Sequence, residues 1–170
     1  MAPLVRRSWN PRGNTPTLYQ RTRSHQRVSA IVALCVTPRR DRVHLYFRLH
    51  ADASIDGPCV IDFLRGLTRH LAGPVVLVWD RLRAHRSRLT QDFIQNQTDF
   101  HDFLFPPYAP ELNPVENVWS YLKMNPLSNL AITDVNALAD ASRQHTRSLQ
   151  RRQTLLRAFV RHTPLPIGLH

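Results

Sequence analysis

Two acidic residues, Asp80 and Glu116, are the first candidates for catalysis in this sequence of 170 residues. Asp80 directly follows the apolar run 75–79 (VVLVW), which predicts a central strand covered on both faces. In open α/β sheets the functional crevice lies outside the carboxyl ends of such strands, which is where Asp80 is expected. The alternative is that Asp80 only caps the turn into the next helix.

Glu116 lies in a segment with a strong structural signal of its own. The string Asn113-Pro114-Val115-Glu116 predicts a capping box, with Asn113 as the N-cap and Pro114 as the first helical residue. The Glu116 side chain would then reach back to the amide of the cap. The local sequence therefore favours a capping role for Glu116. The two roles are compatible, because a carboxylate in the first turn also points out of the helix end, where it could take part in catalysis.

His85 follows Asp80 by five positions, in a loop rich in arginine. Three roles are open for it. It could orient a carboxylate, it could bind a phosphate, or it could simply be solvated.

The elements that must position these residues follow from hydrophobic periodicity and from turn signals. Strands are predicted at residues 27–36, 43–49, 75–79 and 103–105. Helices are predicted at residues 55–71, 87–96, 113–124, 133–149 and 153–162. The turn at 38–41 joins the first two strands into an antiparallel hairpin, and residues 1–26 form a basic arm or loop. The order of elements predicts an α/β fold with a mixed sheet flanked by helices.

The formal net charge of +11 is unevenly distributed along the chain. Residues 1–48 carry a net charge of +9, residues 49–142 a net charge of −4, and residues 143–170 a net charge of +6. Basic flanks around an acidic centre suit a polyanion that meets a carboxylate site, while solubility alone explains the charge equally well. Every basic residue except Lys123 is arginine, which suits phosphate binding or reflects a GC-rich genome.

Composition excludes several classes of protein. With 42% hydrophobic and 21% charged residues, the chain is typical of a globular protein. No apolar run approaches the ~20 residues that a membrane span needs, and the N-terminus lacks the apolar centre of a secretory signal. Cys35 and Cys59 lie in apolar stretches, which predicts free buried thiols and a reducing cytosol.

The segment 105–119 (FPPYAPELNPVENVW) closely resembles the third catalytic block of the DDE transposases. Residues 75–87 (VVLVWDRLRAHRS) resemble the block around the second Asp of that family. The 35 residues between Asp80 and Glu116 also fit the family spacing. Residues 7–16 and 155–159 resemble further family segments. Within the family, the sequence most resembles the bacterial insertion-sequence relatives of the mariner transposases.

The resemblance implies an RNase H-like fold that cuts and joins DNA by metal-dependent phosphoryl transfer. It implies a partial catalytic core at 27–124, a helical extension at 125–170, and a site of two Mg²⁺ or Mn²⁺ ions. Asp80 would be a ligand shared by both ions, and Glu116 a ligand and proton acceptor. DNA would be held by Arg7, Arg12, Arg81, Arg83, His85, Arg86 and Lys123.

The resemblance also implies that the partners are the element ends and the target DNA. It further implies a homo-oligomer in the intact family and a location at the nucleoid of a bacterial cytoplasm.

Two features of the sequence depart from the family pattern. The first Asp of the family lies upstream of the segment matched by 7–16, and none of the six residues before Arg7 is acidic. Arg81 stands where many relatives carry Asn. We therefore expect the C-terminal piece of a transposase, which lacks its first central strand and first Asp and is inactive alone. It is either a truncated or decayed copy or the second reading frame of an element, in which case an upstream-frame polypeptide supplies that strand.

Two other hypotheses remain open from the sequence. One is a non-catalytic DNA-binding or regulatory remnant of a transposase. The other is a divergent RNase H-like nuclease that acts as a complete protein.

Overall fold

The computed structural model describes residues 27–128 and 134–170. In these residues the elements are β1 (Val28–Val36), β2 (Val43–Ala51), α1 (Gly57–Thr68), β3 (Val75–Trp79), α2 (Arg88–Gln95), β4 (Phe100–Leu104), α3 (Pro114–Met124), α4 (Val135–Gln150) and α5 (Gln153–Arg161). A single 3₁₀ turn, Pro110–Leu112, precedes α3. The predicted helices and strands are confirmed, with shifted ends. The largest shift in a strand is at β4, which was predicted at 103–105 and spans Phe100–Leu104. The predicted arm at 1–26 lies outside the described residues.

The strands β1 and β2 form the predicted antiparallel hairpin, with Val28 opposite Ala51 and Val36 opposite Val43. The hairpin turn is closed by the Arg40 amide, which donates to the carbonyl of Thr37 at 2.8 Å. Arg40 adopts a φ of 56°, in the left-handed region that tight turns often require. The short connection predicted at 38–41 therefore does form the hairpin.

Alternation along β1 divides its side chains between two helical layers, as the period of two in a strand requires. Ile31, Ala33 and Cys35 pack into a first core, which α1, α2, β3 and β4 complete. Val32, Leu34 and Val36 pack into a second core formed with β2, α3, α4 and α5. The hairpin is thus covered by helices on both faces, as an α/β domain requires.

The second core fixes the position of α3. Val118 and Leu122 of this helix are fully buried against Leu156 and other residues of the second core. The Asn117 side chain also donates from Nδ2 to the carbonyl of Phe159, at 2.9 Å. Packing and this hydrogen bond together anchor the helix that carries Glu116.

Two glutamine side chains cover the outer edge of β2. The amide of Gln153 accepts from the Val43 N–H at 3.2 Å and donates to the Val43 carbonyl at 2.8 Å. Gln150 donates from Nε2 to the Leu45 carbonyl at 2.7 Å. These bonds satisfy backbone groups that an edge strand would otherwise present to another chain.

The strands β3 and β4 pair in parallel, with Val75 opposite Phe100 and Trp79 opposite Leu104. The prediction that β3 is covered on both faces is wrong for the described residues. Trp79 is buried in the first core, whereas Val76 and Val78 are 65% and 45% exposed. Helices α1 and α2 pack on one face only, and in the described ranges the other face remains open.

Both pairing types of a mixed sheet are present, but the described strands divide into two separate two-stranded sheets. β1 and β3 therefore belong to different sheets, although their side chains share the first core. The fold is a mixed α/β arrangement of small sheets flanked by helices.

Cys35 and Cys59 form no disulfide, as predicted. Both residues are half-buried, which is less than the full burial that the sequence predicted. Burial raises the pKa of Cys35 to about 12, which keeps this thiol protonated at neutral pH. Among the described helices, none combines the length and apolar character needed to cross a membrane.

Candidate active site

Asp80 and Glu116, 36 positions apart in the sequence, line the same pocket of about 220 Å³. Arg81, Asn113 and the Pro-rich segment 105–110 form the rest of its wall. The pocket opens where β3 and β4 end and where α3 begins. This is the carboxyl edge of a parallel strand pair, which is the edge at which α/β folds place their functional groups.

Asp80 follows the last residue of β3, and its hydrogen bonds within the described chain fall on one carboxylate oxygen. Oδ1 accepts from the Leu82 amide at 3.0 Å and from His85 Nδ1 at 2.7 Å. The next helix, α2, is capped by Ser87, whose hydroxyl accepts from the Thr90 amide. Asp80 therefore does cap the turn that leads towards α2, while Ser87 caps α2 itself. The second carboxylate oxygen of Asp80 is available to a ligand.

His85 is the side chain that orients Asp80. Its ring stacks on Trp79 with centroids 4.5 Å apart and planes at 14°, and its side chain is only 17% exposed. The Gln91 side chain donates to the His85 carbonyl at 2.9 Å. The neighbours of Nδ1 are two oxygens of Asp80, so that nitrogen carries the proton. Of the three roles open from the sequence, the geometry matches orientation of a carboxylate.

The hydrogen bond from His85 lowers the pKa of Asp80, and the Leu82 amide lowers it further. Partial burial acts in the opposite direction without reversing the shift. Asp80 is consequently ionised throughout the neutral range, as a carboxylate that binds a cation must be.

Glu116 lies in the first turn of α3, and half of the predicted capping box is present. Asn113 caps the helix by accepting the Val115 amide at 3.1 Å, and Pro114 is the first helical residue. The prediction that Glu116 bonds the cap amide is wrong, because the Asn113 N–H donates to the Pro110 carbonyl at 3.0 Å. Glu116 is exposed, and its carboxylate makes no hydrogen bond to another described residue.

The two carboxylates match the donor chemistry of a hard divalent cation. Mg²⁺ is commonly held by one or two protein carboxylates, with water and substrate phosphate completing the shell. Asp80 and Glu116 can supply that number of ligands for one ion. Within residues 27–128 and 134–170, no group of three or more His, Cys, Asp or Glu side chains could hold a metal. The described residues therefore offer this pocket a pair of carboxylates of the right chemistry and no group of three possible metal ligands.

The predicted DNA-binding residues are placed unequally around this pocket. Arg81 lies in its wall and donates from Nε to the Phe105 carbonyl at 2.9 Å, which ties the segment after β3 to the segment after β4. Arg83 and Arg86 are exposed in the same segment as Asp80. Lys123 is half-buried, about two helical turns along α3 from Glu116. Arg7 and Arg12 lie outside the described residues.

Two residues of the site carry no prediction from the sequence. Gln91 holds the His85 backbone, and a lone glutamine in a short helix gives no signal of such a role. Tyr108 is fully exposed in the pocket wall with a φ of 56°. The sequence signal that could have singled out Tyr108 is an aromatic residue among prolines, in a segment between a predicted strand and a predicted helix.

The fold and the pocket define an α/β domain with a carboxylate site at the end of a parallel strand pair. The family model of the DDE superfamily endonucleases matches residues 2–139. The chain belongs to this family, as its resemblance to the DDE transposases predicted.

Solved structures of a mariner transposase share this fold. The Mos1 transposase paired-end complex with the left transposon end superposes with a TM-score of 0.70 at 14% identity, over 98% of this chain and 49% of that one. The Mos1 mariner paired-end complex with Mn gives 0.69 at 13% identity, over 95% and 48%. The chain thus spans about half the length of these structures.

A short local match is found among curated proteins. An uncharacterized protein, y4pE/y4sA of Sinorhizobium fredii, is 59% identical over 29 residues, which are 17% of this chain and 22% of that protein.

Proposed function

We propose that this chain is the phosphoryl-transfer domain of a DNA transposase of the bacterial insertion-sequence type. The observation that carries the proposal is the convergence of Asp80 and Glu116 on one pocket at the carboxyl end of β3. The superposition on Mos1 transposase complexes supports a fold suited to DNA transposition. The substrates would be the element ends and the target DNA.

Each residue of the pocket has a part in this mechanism. Asp80, oriented by His85, and Glu116, anchored through α3, would hold Mg²⁺ or Mn²⁺. Such an ion would supply positive charge against the negative charge of the reacting phosphate. Glu116 would also accept the proton of the attacking hydroxyl, because its carboxylate is exposed and uncommitted among the described residues.

Arg81 has a second role in the proposal. Its guanidinium is held by the Phe105 carbonyl in the pocket wall, where it would attract a DNA phosphate. Arg83, Arg86 and Lys123 would extend that contact along the strand, with Arg7 and Arg12 adding charge from the N-terminal arm. His85 would act on the DNA only through the orientation of Asp80.

The proposal requires a third carboxylate from outside the described residues. We infer that an upstream polypeptide supplies it with an additional strand, and that the assembled enzyme is a homo-oligomer at the bacterial nucleoid. Within this chain, residues 27–124 would carry the site, and residues 125–170 would complete the second core that anchors α3.

A second function, a regulatory DNA-binding remnant, is favoured by one observation. The described residues supply two carboxylates and no third ligand to the pocket, while Arg83 and Arg86 stay exposed beside it. Such a protein would bind DNA and leave it uncut.

DNA binding by the purified chain is expected to depend steeply on salt, because phosphate contacts release counterions. Arg83→Ala should lower the slope of log affinity against log salt by about 1, the loss of one phosphate contact. Fluorescence anisotropy of a labelled duplex, measured from about 50 mM salt upwards, tests this.

Arg69→Ala is the matched control, since it removes the same charge beyond the opposite end of β3 from Asp80. Its slope should equal that of the unmodified chain. Absence of binding at about 50 mM salt would contradict both proposed functions.

Nicking of supercoiled DNA is expected to be absent when the chain is incubated alone with Mg²⁺. The reason is that the described residues bring two carboxylates to the pocket and include no group of three possible metal ligands, fewer than a two-ion site needs. Agarose-gel conversion of supercoiled to open-circular plasmid measures the activity. Nicking that disappears in Asp80→Ala would show that the chain is active without a third carboxylate from elsewhere.

A further inference from the structure

Tyr108 is the most exposed of the large hydrophobic side chains in the described part of the protein, and it lies in the wall of the carboxylate pocket. Its relative exposure is 103%, so the ring packs against no other part of the described chain. Its φ of 56° is in the left-handed region, which a residue with a Cβ rarely adopts. Neither burial nor backbone preference explains why a tyrosine is held in this way.

The surrounding chain holds the backbone of Tyr108 near the site. Pro106 and Pro107 precede Tyr108 and Pro110 follows it, and each proline fixes its own φ and restricts its neighbour. The Arg81 bond to the Phe105 carbonyl fixes the beginning of this segment. The restricted backbone keeps Tyr108 beside the pocket, and its uncovered ring face is available to a ligand bound there.

We propose that Tyr108 stacks on an unpaired DNA base next to the phosphate that the pocket holds. An aromatic ring offers stacking to any base, because every base has a π-face. Bases inside a duplex are already stacked on both sides, so the base in contact must be unpaired or turned out of the helix. The inference rests on the proposed function and adds a substrate class, DNA with an unstacked nucleotide at the reacting phosphate.

The charges around Tyr108 suit a nucleotide better than an apolar partner. Arg81 offers a cation in the same pocket wall, and the Asp80 and Glu116 carboxylates lie in the same pocket for the metal that a phosphate would share. A nucleotide supplies both a phosphate for these groups and a base for the ring. An apolar protein segment would offer these three charged groups no partner beyond those that Asp80 and Arg81 already have within the chain.

The test uses a duplex with a single-stranded 3′ overhang that carries 2-aminopurine, whose fluorescence falls when it is stacked. The full chain is expected to quench this probe. Tyr108→Ala should abolish the quenching and weaken binding of the overhang DNA about tenfold, the loss of one base–aromatic stack. Tyr108→Phe should retain both, because the ring and not the hydroxyl stacks.

Two controls distinguish stacking from general effects. Leu89→Ala, which truncates a side chain 61% exposed on α2, should leave quenching unchanged. Binding of a blunt duplex, measured by anisotropy, should be the same for all four proteins.

Three outcomes would overturn the stacking proposal. Quenching that survives in Tyr108→Ala, or that is lost in Tyr108→Phe, would refute it while leaving the proposed function intact. Failure of the unmodified chain to bind either DNA would instead refute the proposed function, and the stacking proposal with it.

Discussion

Asp80→Asn is expected to lower the affinity of the chain for Mn²⁺ by more than about 100-fold, since loss of a residue that only orients a metal ligand already costs 10–100-fold. The substitution keeps the shape of the side chain and removes one of the two negative charges that line the pocket. An amide oxygen still accepts the hydrogen bond from His85, so the loop is expected to keep its conformation. Glu116→Gln removes the other charge and should have a comparable effect.

The measurement is electron paramagnetic resonance of free Mn²⁺, titrated with the protein in the presence of duplex DNA. Glu111→Gln is the control, because it removes the same charge from the adjoining 3₁₀ turn without touching the pocket wall. Its Mn²⁺ affinity should match that of the unmodified chain. Equal Mn²⁺ binding by Asp80→Asn, Glu116→Gln and the control would place the ion elsewhere and refute the assignment of these ligands.

Leu122→Ala is expected to lower the free energy of unfolding by about 2–5 kcal/mol, as removal of a large core side chain does. Leu122 is fully buried in the second core, between the β1–β2 hairpin and the C-terminal helices. Equilibrium unfolding in urea measures the change as a shift in the midpoint. Because α3 also carries Glu116, the variant should lose Mn²⁺ affinity at urea concentrations where the unmodified chain keeps it.

Ser120→Ala is the matched control on the same helix. Ser120 is exposed, and its replacement should change stability by no more than about 0.5 kcal/mol. A midpoint for Leu122→Ala equal to that of Ser120→Ala would mean that α3 is not anchored through the second core.

The parts of this protein that were predictable from sequence are those with local causes. The apolar run at β3 ends at Asp80, and Asn113 and Pro114 start α3, so both carboxylates could be placed at element ends. Their meeting in one pocket followed from the spacing shared with the DDE transposases and from the position of crevices in α/β folds.

The parts that could not be predicted depend on how the folded chain arranges its helices and loops, which neither periodicity nor a short motif specifies. The run at 75–79 is apolar throughout, and periodicity does not show which face a helix will cover, so the exposure of Val76 and Val78 was missed. The capping box predicted a bond from Glu116 to the Asn113 amide, but the preceding 3₁₀ turn supplies the Pro110 carbonyl instead. The stacking of His85 on Trp79 likewise requires the loop conformation.

The glutamine contacts on β2 make the two edges of the hairpin unequal as sites for pairing with a further strand. Gln150 and Gln153 occupy backbone groups of Val43 and Leu45, which obstructs pairing of a new strand with the first half of β2. The other edge strand of this sheet in the described residues is β1. A polypeptide that adds a strand to this sheet is therefore expected to pair along β1. Such a peptide would bind through backbone hydrogen bonds to the edge of β1, and its side chains would contribute second.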